Sequence, residues 1–349
     1  MSVDWQGRKV LVTGGASFIG SHLVDALVGR GARVRVVDNL SSGLLGNIAS
    51  HVEDGAVEFR QEDLLDSEVA QRAASGVEVV FHLAADHGGR GYIDSHPVEC
   101  STNLILDGLV FKACRQAGVA KIVFASSGCV YPTSLQMDPG EEVYLREDMV
   151  AAPYEADDLY GWAKLMAELS LKAYYDQYGV RSAACRYFTA YGPRCSENHA
   201  VMAMIARAFV RRDPFEVWGT GEQIRNWTYI DDIVEGTIRA AEAIDDATAV
   251  NLGTTERIRV IDCARQVVEL AGYTAEFAPQ PDKPTGPLNR AADTALARQL
   301  LGWEPQVPFA LGLRKTFDWY CETKSREEVE RLLDGGGLTE RTAASQATQ

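Results

Sequence analysis

The sequence predicts an α/β fold, a doubly wound parallel sheet with a smaller lobe in the C-terminal half. Three observations predict it. Short apolar runs without polar–apolar alternation recur at Lys9–Thr13, Val79–Ala85 and Lys121–Ala125, and such runs fit strands buried on both faces. Helical stretches alternate with them, as parallel strands require. A glycine turn, Gly14-Gly-Ala-Ser-Phe-Ile-Gly20, joins the first strand to the first helix.

The chain has 349 residues, 46% hydrophobic and 24% charged. That is the balance of a globular protein long enough for two domains, or for one large domain with a lobe. No apolar run approaches a membrane span, and Met1-Ser-Val-Asp-Trp-Gln-Gly-Arg8 lacks a signal peptide's apolar core. Seven cysteines without Cys-x-x-Cys spacing argue for a reducing, cytoplasmic setting and against a disulfide framework or zinc site. A net charge of −15 disfavours nucleic acid and anionic membranes as partners. An anionic ligand would need local arginines or helix N-termini to overcome that field.

In chain order, Lys9–Thr13 is the first strand, and an amphipathic helix runs from about Ile19 to Gly29. Glycines let the backbone approach a pyrophosphate, whose charge the helix N-terminus faces. The second strand, Arg33–Asp38, ends in an acid 18 residues after Gly20. A carboxylate there accepts from a ribose 2′ hydroxyl and repels a 2′ phosphate, so NAD is expected over NADP. The turn alone would be a plain strand–helix connection. With its flanking strands and Asp38 it predicts a Rossmann-type domain. Val57–Arg60 leads into Asp63 and Leu64. After Val79–Ala85 comes Asp86-His-Gly-Gly-Arg-Gly-Tyr-Ile93, where Gly88 and Gly89 suggest a loop close to a ligand. The plainer reading is a flexible connection. Asn103–Gly118 is helical.

The stretch Ala125–Lys164 organises the chemistry. Ser126, Ser127 and Cys129 follow the Lys121–Ala125 strand, at the end where open α/β sheets place ligands. Tyr160 and Lys164 are four apart in the helical stretch Leu159–Tyr178 and share a face. An ammonium near a phenol lowers the phenol's pKa, so Tyr160 is expected to be tuned toward neutrality as a base. Tyr-x-x-x-Lys also occurs by chance, so the surrounding pattern is needed to support it.

Arg181–Tyr187 is the sixth parallel strand. Beyond Tyr191-Gly-Pro193 shorter elements begin: a strand at Phe215–Trp218, a helix at Ile233–Glu242 capped by Asp231 or Asp232, a strand at Ala249–Leu252 and a helix at Val260–Leu270. Trp218 could stack on a base or fill the core. The expected organisation is a dinucleotide-binding domain over 1–190, a mainly substrate-binding lobe over 191–325 with chain crossings, and a polar tail over 326–349.

These pieces resemble the extended short-chain dehydrogenase/reductase family of nucleotide-sugar epimerases and dehydratases, from about Lys9 to Trp319. Ser17 stands where the family's middle glycine does, which implies weaker packing against cofactor. The resemblance implies an NAD site of Gly14, Ser17, Phe18, Ile19, Gly20, Asp38, Asn39, Asp63, Leu64, Ala84 and Ala85. It implies Tyr160 as base, Lys164 on the nicotinamide ribose and Ser127 on a substrate hydroxyl. Within the family, the loop 84–93 and Ser126-Ser-Gly-Cys-Val-Tyr-Pro132 resemble the GDP-mannose 3,5-epimerase branch. That implies an acid/base role for Cys129, with His199 nearest the place of its partner acid, Gly88 and Gly89 near substrate, and Arg225 and Arg290 on a diphosphate. A thiol titrates near 8.5 unless its neighbours lower it, so it can serve as a base. The competing readings are a packing role for Cys129, an idle loop histidine and surface ion pairs. The expectation is an NAD-dependent epimerase of a nucleotide-diphosphate sugar, cytoplasmic and homodimeric. A plain 4-epimerase with passive Cys129 and a non-catalytic nucleotide-binding protein are the alternatives.

Overall fold

The computed structural model describes residues 4–335. Seven parallel strands form its main sheet: β1 (Lys9–Thr13), β2 (Arg33–Val37), β3 (Val57–Arg60), β4 (Val79–His82), β5 (Lys121–Ser127), β6 (Ser182–Tyr187) and β7 (Asp246–Leu252). Their spatial order is β7-β6-β5-β4-β1-β2-β3, which reverses direction at β1, where a doubly wound sheet opens a crevice. The apolar runs explain the burial, since all four residues of β4 and the first six of β5 are buried. Helices cover both faces. Those used below are α1 (Phe18–Gly29), α2 (Arg90–Ser95), α3 (Asn103–Ala117), α4 (Asp158–Tyr178), α5 (Ala200–Phe209), α6 (Ile230–Ala243), α7 (Phe309–Thr323) and α8 (Arg326–Asp334).

β7 joins the main sheet from beyond residue 190, pairing in parallel with β6. The chain leaves the sheet after β6, builds part of the smaller lobe and returns through α6. Small pairings make up the lobe: Phe215–Trp218 with Phe277–Gln280, and Ile224–Arg225 with Ile258–Arg259.

Four local expectations change. β4 ends at His82, and Leu83–Ala85 leave the ladder toward the crevice. β5 runs on to Ser127. Neither Asp231 nor Asp232 caps α6, because both lie in its first turn behind Tyr229. Asp232 instead accepts from the backbone N–H groups of Gln306 and Val307. Residues 326–334, read as the start of a polar tail, form α8, because Val329 is buried and Leu333 packs on the core. The remaining tail, 336–349, lies outside the described residues. Among the described residues no helix is long and apolar enough to cross a membrane.

Candidate active site

The glycine turn is a bare backbone cradle. A β-carbon on Gly20 would stand 2.1 Å from the Gly14 carbonyl oxygen, and one on Gly14 would stand 2.9 Å from the Ala84 nitrogen. Gly14 also holds φ at +68°. Only glycine fits either position. Ser17, in the middle place, donates its hydroxyl to the Gly14 carbonyl at 2.6 Å and so closes the turn. The cradle sits at the N-terminus of α1 and fits a dinucleotide's diphosphate.

Asp38 follows β2 and is buried. Its carboxylate accepts from Ala16 N at 3.0 Å and Leu40 N at 2.8 Å. Burial raises its pKa, against the pull of those two bonds. Asn39 donates to Asp63 at 3.2 Å. A small cavity of about 100 Å³ is lined by Asp38, Asn39, Asp63, Leu64, Ala84 and Ala85, among others. It gathers the residues assigned to the adenosine end.

A larger cavity of about 950 Å³ joins Ser17, Phe18 and Ile19 to Ser127, Cys129, Tyr160, Lys164, His199 and Arg290. Tyr160 and Lys164 lie one turn apart on α4. Ser127 lies near Tyr160, where it works to lower the phenol's pKa, and accepts from Cys129 N at 3.1 Å. Ser126 points away, its hydroxyl donating to buried Glu168. The expected tuning of Tyr160 by Lys164 is not what the protein groups alone produce. Burial pushes the Tyr160 phenol up, and the nearby Cys129 adds to the rise. The Lys164 ammonium lies 4.6 Å from the Phe124 ring centre and 5.7 Å from that of Tyr160. Burial lowers the Lys164 pKa, while Asp107, Cys129 and Glu168 oppose the fall.

Cys129 sits in a single helical turn, Gly128–Val130, after β5. Arg290 Nη1 donates to its sulfur at 3.3 Å. The same guanidinium reaches Gln136 Oε1 at 2.7 Å and Asp157 at 2.9 Å. Three of the guanidinium's five N–H donors are therefore used around Cys129, and Arg290 also lines the large cavity. Arg225 is absent from the lining of the large cavity. Its guanidinium donates to the carbonyls of Ile224 and Thr285. Burial, with Arg290 and Arg90 nearby, pushes its pKa down to about 9.

Gly88 and Gly89 are close-approach positions. A β-carbon on Gly88 would stand 2.7 Å from Tyr92, and one on Gly89 would stand 1.8 Å from the Asn198 carbonyl oxygen. This contact brings the loop after β4 against the segment leading to α5. His199 occupies the N-cap position of α5, and burial pushes its pKa down to about 4. That favours the neutral imidazole near pH 7.

Sequence reasoning passed over three features. His87 lies near two other rings of the site, 6.3 Å from Tyr160 and 6.0 Å from His199, centre to centre. Its place after a strand's carboxyl end was the available signal. Asp157, flanked by Arg90 and Arg290, had no signal in the sequence. Nor did α8, which brings Glu328, Val329, Arg331 and Leu332 to the large cavity.

Comparison with known proteins agrees with this architecture. Residues 10–253 match the NAD dependent epimerase/dehydratase family. The chain is 30% identical over 351 residues to GDP-mannose 3,5-epimerase 1 of Oryza sativa subsp. japonica, covering 98% of this chain and 90% of that one. It is 31% identical over 318 residues to UDP-glucose 4-epimerase of Mycolicibacterium smegmatis, covering 89% and 98%. The solved UDP-glucuronic acid 4-epimerase of Bacillus cereus, in complex with UDP-glucuronic acid and NAD, superposes with a TM-score of 0.79 at 28% identity. That match covers 90% of this chain and 100% of the other. The cradle, the sheet and these matches agree that the chain belongs to the NAD-dependent epimerase/dehydratase family of nucleotide-sugar enzymes and is an enzyme of the isomerase type.

Proposed function

We propose that this enzyme epimerises a nucleotide-diphosphate sugar at C5, C3 or both, by transient oxidation at C4. The observation that carries the reading is the Cys129 sulfur, which shares one cavity with Tyr160 and takes a hydrogen bond from Arg290. NAD, held by the Gly14–Gly20 cradle with its adenosine end at Asp38 and Asp63, supplies the hydride acceptor and donor at C4. Tyr160 takes the C4 hydroxyl proton, with Ser127 orienting the phenol and Lys164 supplying a nearby positive charge. A C4 ketone acidifies the protons at C3 and C5. Cys129 removes such a proton from one face of the sugar, and the opposite face needs a donor. Neutral His199 lacks the proton, and His87, 6.0 Å from it ring to ring, is the proposed donor. Tyr160 then returns its proton to the C4 oxygen.

A plain 4-epimerase, in which Cys129 is passive and the sugar rotates, is favoured by one observation. The likeness to UDP-glucose 4-epimerase spans 98% of that relative. Turnover of a panel of nucleotide sugars in deuterated water, read by mass spectrometry, separates the two. Deuterium at C3 or C5 is expected. Product inverted at C4 alone without carbon-bound deuterium favours the plain 4-epimerase.

We further propose a homodimer through α3 and α4. Leu104 and Ile105 on α3, and Leu159, Trp162 and Met166 on α4, are exposed. The α4 residues fall on one helical face, and a second copy of this face is the proposed partner.

A further inference from the structure

Arg290 holds a position that three neighbours determine. Its Nε donates to Gln136 at 2.7 Å, its Nη2 to Asp157 at 2.9 Å and its Nη1 to the Cys129 sulfur at 3.3 Å. A guanidinium is planar and rigid, so two fixed acceptors determine where the third donor edge points. Both acceptors are themselves fixed. Gln136 is fully buried, and its amide donates to the Pro132 carbonyl at 2.9 Å. Its main-chain carbonyl accepts from Leu288 N at 2.9 Å and Asn289 N at 3.0 Å, the two residues before Arg290. Asp157 is 5% exposed. It sits where a helix cap would, yet its carboxylate makes no cap bond. It takes Arg290 on one side and Arg90 on the other, the latter at 3.0 and 3.1 Å. Its backbone N–H donates to the Cys129 carbonyl at 2.9 Å.

We propose that Gln136 and Asp157 are positioning residues that commit Arg290 to the Cys129 sulfur rather than to the substrate's diphosphate. This rests on the proposed role of Cys129 as a base. A charged donor at 3.3 Å stabilises a thiolate more than a thiol, so the frame makes Cys129 a more reactive nucleophile toward protons and alkylating agents. The other charged and titratable groups around Cys129 are Tyr160 and Lys164 on α4, Arg225 from the small lobe, and His87 and His199 across the cavity. None of them depends on Gln136.

Gln136→Met is the decisive variant, because it removes an acceptor without changing any charge. The rate of Cys129 carbamidomethylation by iodoacetamide at pH 7.5 is followed by peptide mass spectrometry, which needs no turnover. We expect a fall of ~10-fold in Gln136→Met, the order of losing a charge-assisted hydrogen bond. In turnover, kcat for C3/C5 deuterium exchange should fall with KM nearly unchanged, while the transient absorbance of reduced nicotinamide persists. Arg146→Gln, whose exposed guanidinium pairs with Asp148 away from the acceptors of Arg290, should alkylate within ~2-fold of wild type by the same measure. An unchanged rate in Gln136→Met, or an equal fall in Arg146→Gln, overturns the frame. Wild-type enzyme gives an independent arm that requires no folded variant. UDP and GDP carry the diphosphate but no sugar, and alkylation in their presence should stay within ~2-fold of its rate without them. A ~10-fold fall there means that Arg290 has turned to the diphosphate, and the proposal is lost. If alkylation follows the frame but wild type never exchanges carbon-bound protons, the frame stands and the proposed reaction fails.

Discussion

Gly161 lies so close to Cys129 that a β-carbon on it would stand 2.3 Å from the Cys129 carbonyl oxygen. The glycine after Tyr160 therefore lets the turn beyond β5 rest on the first turn of α4. That contact sets the spacing between phenol and thiol. Gly161→Ala makes the dependence measurable. Helix propensity alone would stabilise the alanine variant by ~1 kcal/mol. Overpacking against a backbone oxygen costs ~1–3 kcal/mol and should win. The expected result is a lower Tm with C4 oxidation and C3/C5 exchange both impaired. A raised Tm with full activity would mean that the two segments separate freely.

Cofactor choice should follow Asp38. Its carboxylate faces the small cavity while holding Ala16 N and Leu40 N, and a 2′ phosphate would meet buried negative charge. Calorimetric titration should give NAD much tighter than NADP. Asp38→Ala should shrink the ratio by ~10-fold or more, the scale of a hydrogen bond to a charged group. Equal affinities in wild type would remove Asp38 from the site.

His199 gives a pH signature. Its folded pKa, about 4, lies below the ordinary 6.5 because of burial. Between those values the unfolded imidazole binds a proton that the folded one refuses, so the unfolded state carries more protons. Stability therefore falls as pH drops through 6.5 toward about 4, and this contribution levels off below that. His199→Gln should flatten the Tm difference between pH 7 and pH 5 relative to wild type. An identical pH slope in the variant would show that His199 takes up its proton in the folded state.

The sheet was legible because buried parallel strands leave continuous apolar runs, and the cofactor cradle because glycines there answer backbone contacts within one turn. Tyr160, Lys164 and Cys129 were legible for the same local reason, falling at a strand end and on one helix face. What escaped depended on contacts across long chain distances. Arg290 meets Cys129 and Asp157 across more than a hundred residues, and no spacing announces such a meeting. Its protein partners are a thiol, an amide and a carboxylate. His199 is a different case. Its residue type suggested a titrating acid, and the burial that lowers its pKa does not show in the sequence. α8 escaped because its charged residues outnumber the single side chain, Val329, that it buries.

Assembly should respond to the exposed apolar face. Ile105 is 61% exposed and Trp162 39% exposed, so a charge at either costs the isolated chain little. In the proposed dimer each would be buried in the interface, where an unpaired charge is costly. Ile105→Glu and Trp162→Glu should yield monomers by light scattering with unchanged helix content. Dimers that persist in both variants, or a monomeric wild type, would place the interface elsewhere or remove it.

The sharpest separation of the two reactions is at the Cys129 sulfur. Cys129→Ser keeps size and hydrogen-bonding capacity but replaces a thiol, ordinarily titrating near 8.5, with a hydroxyl that does not ionise near neutrality. The turn should survive, because its bonds run through the backbone: Cys129 N to Ser127 and Asp157 N to the Cys129 carbonyl. Oxidation at C4 draws on Tyr160, Ser127 and Lys164, none of which is altered, so the transient absorbance of reduced nicotinamide should persist. Proton removal at C3 and C5 should fall by ~10²–10⁴-fold, the usual cost of losing a general base. Tyr160→Phe is the complementary variant, because it should abolish the nicotinamide transient and, with it, every later exchange. Deuterium wash-in followed beside that transient reads both steps in one experiment. Should Cys129→Ser exchange at the wild-type rate, the sulfur only fills space, and inversion at C4 by rotation of the sugar is the reaction left.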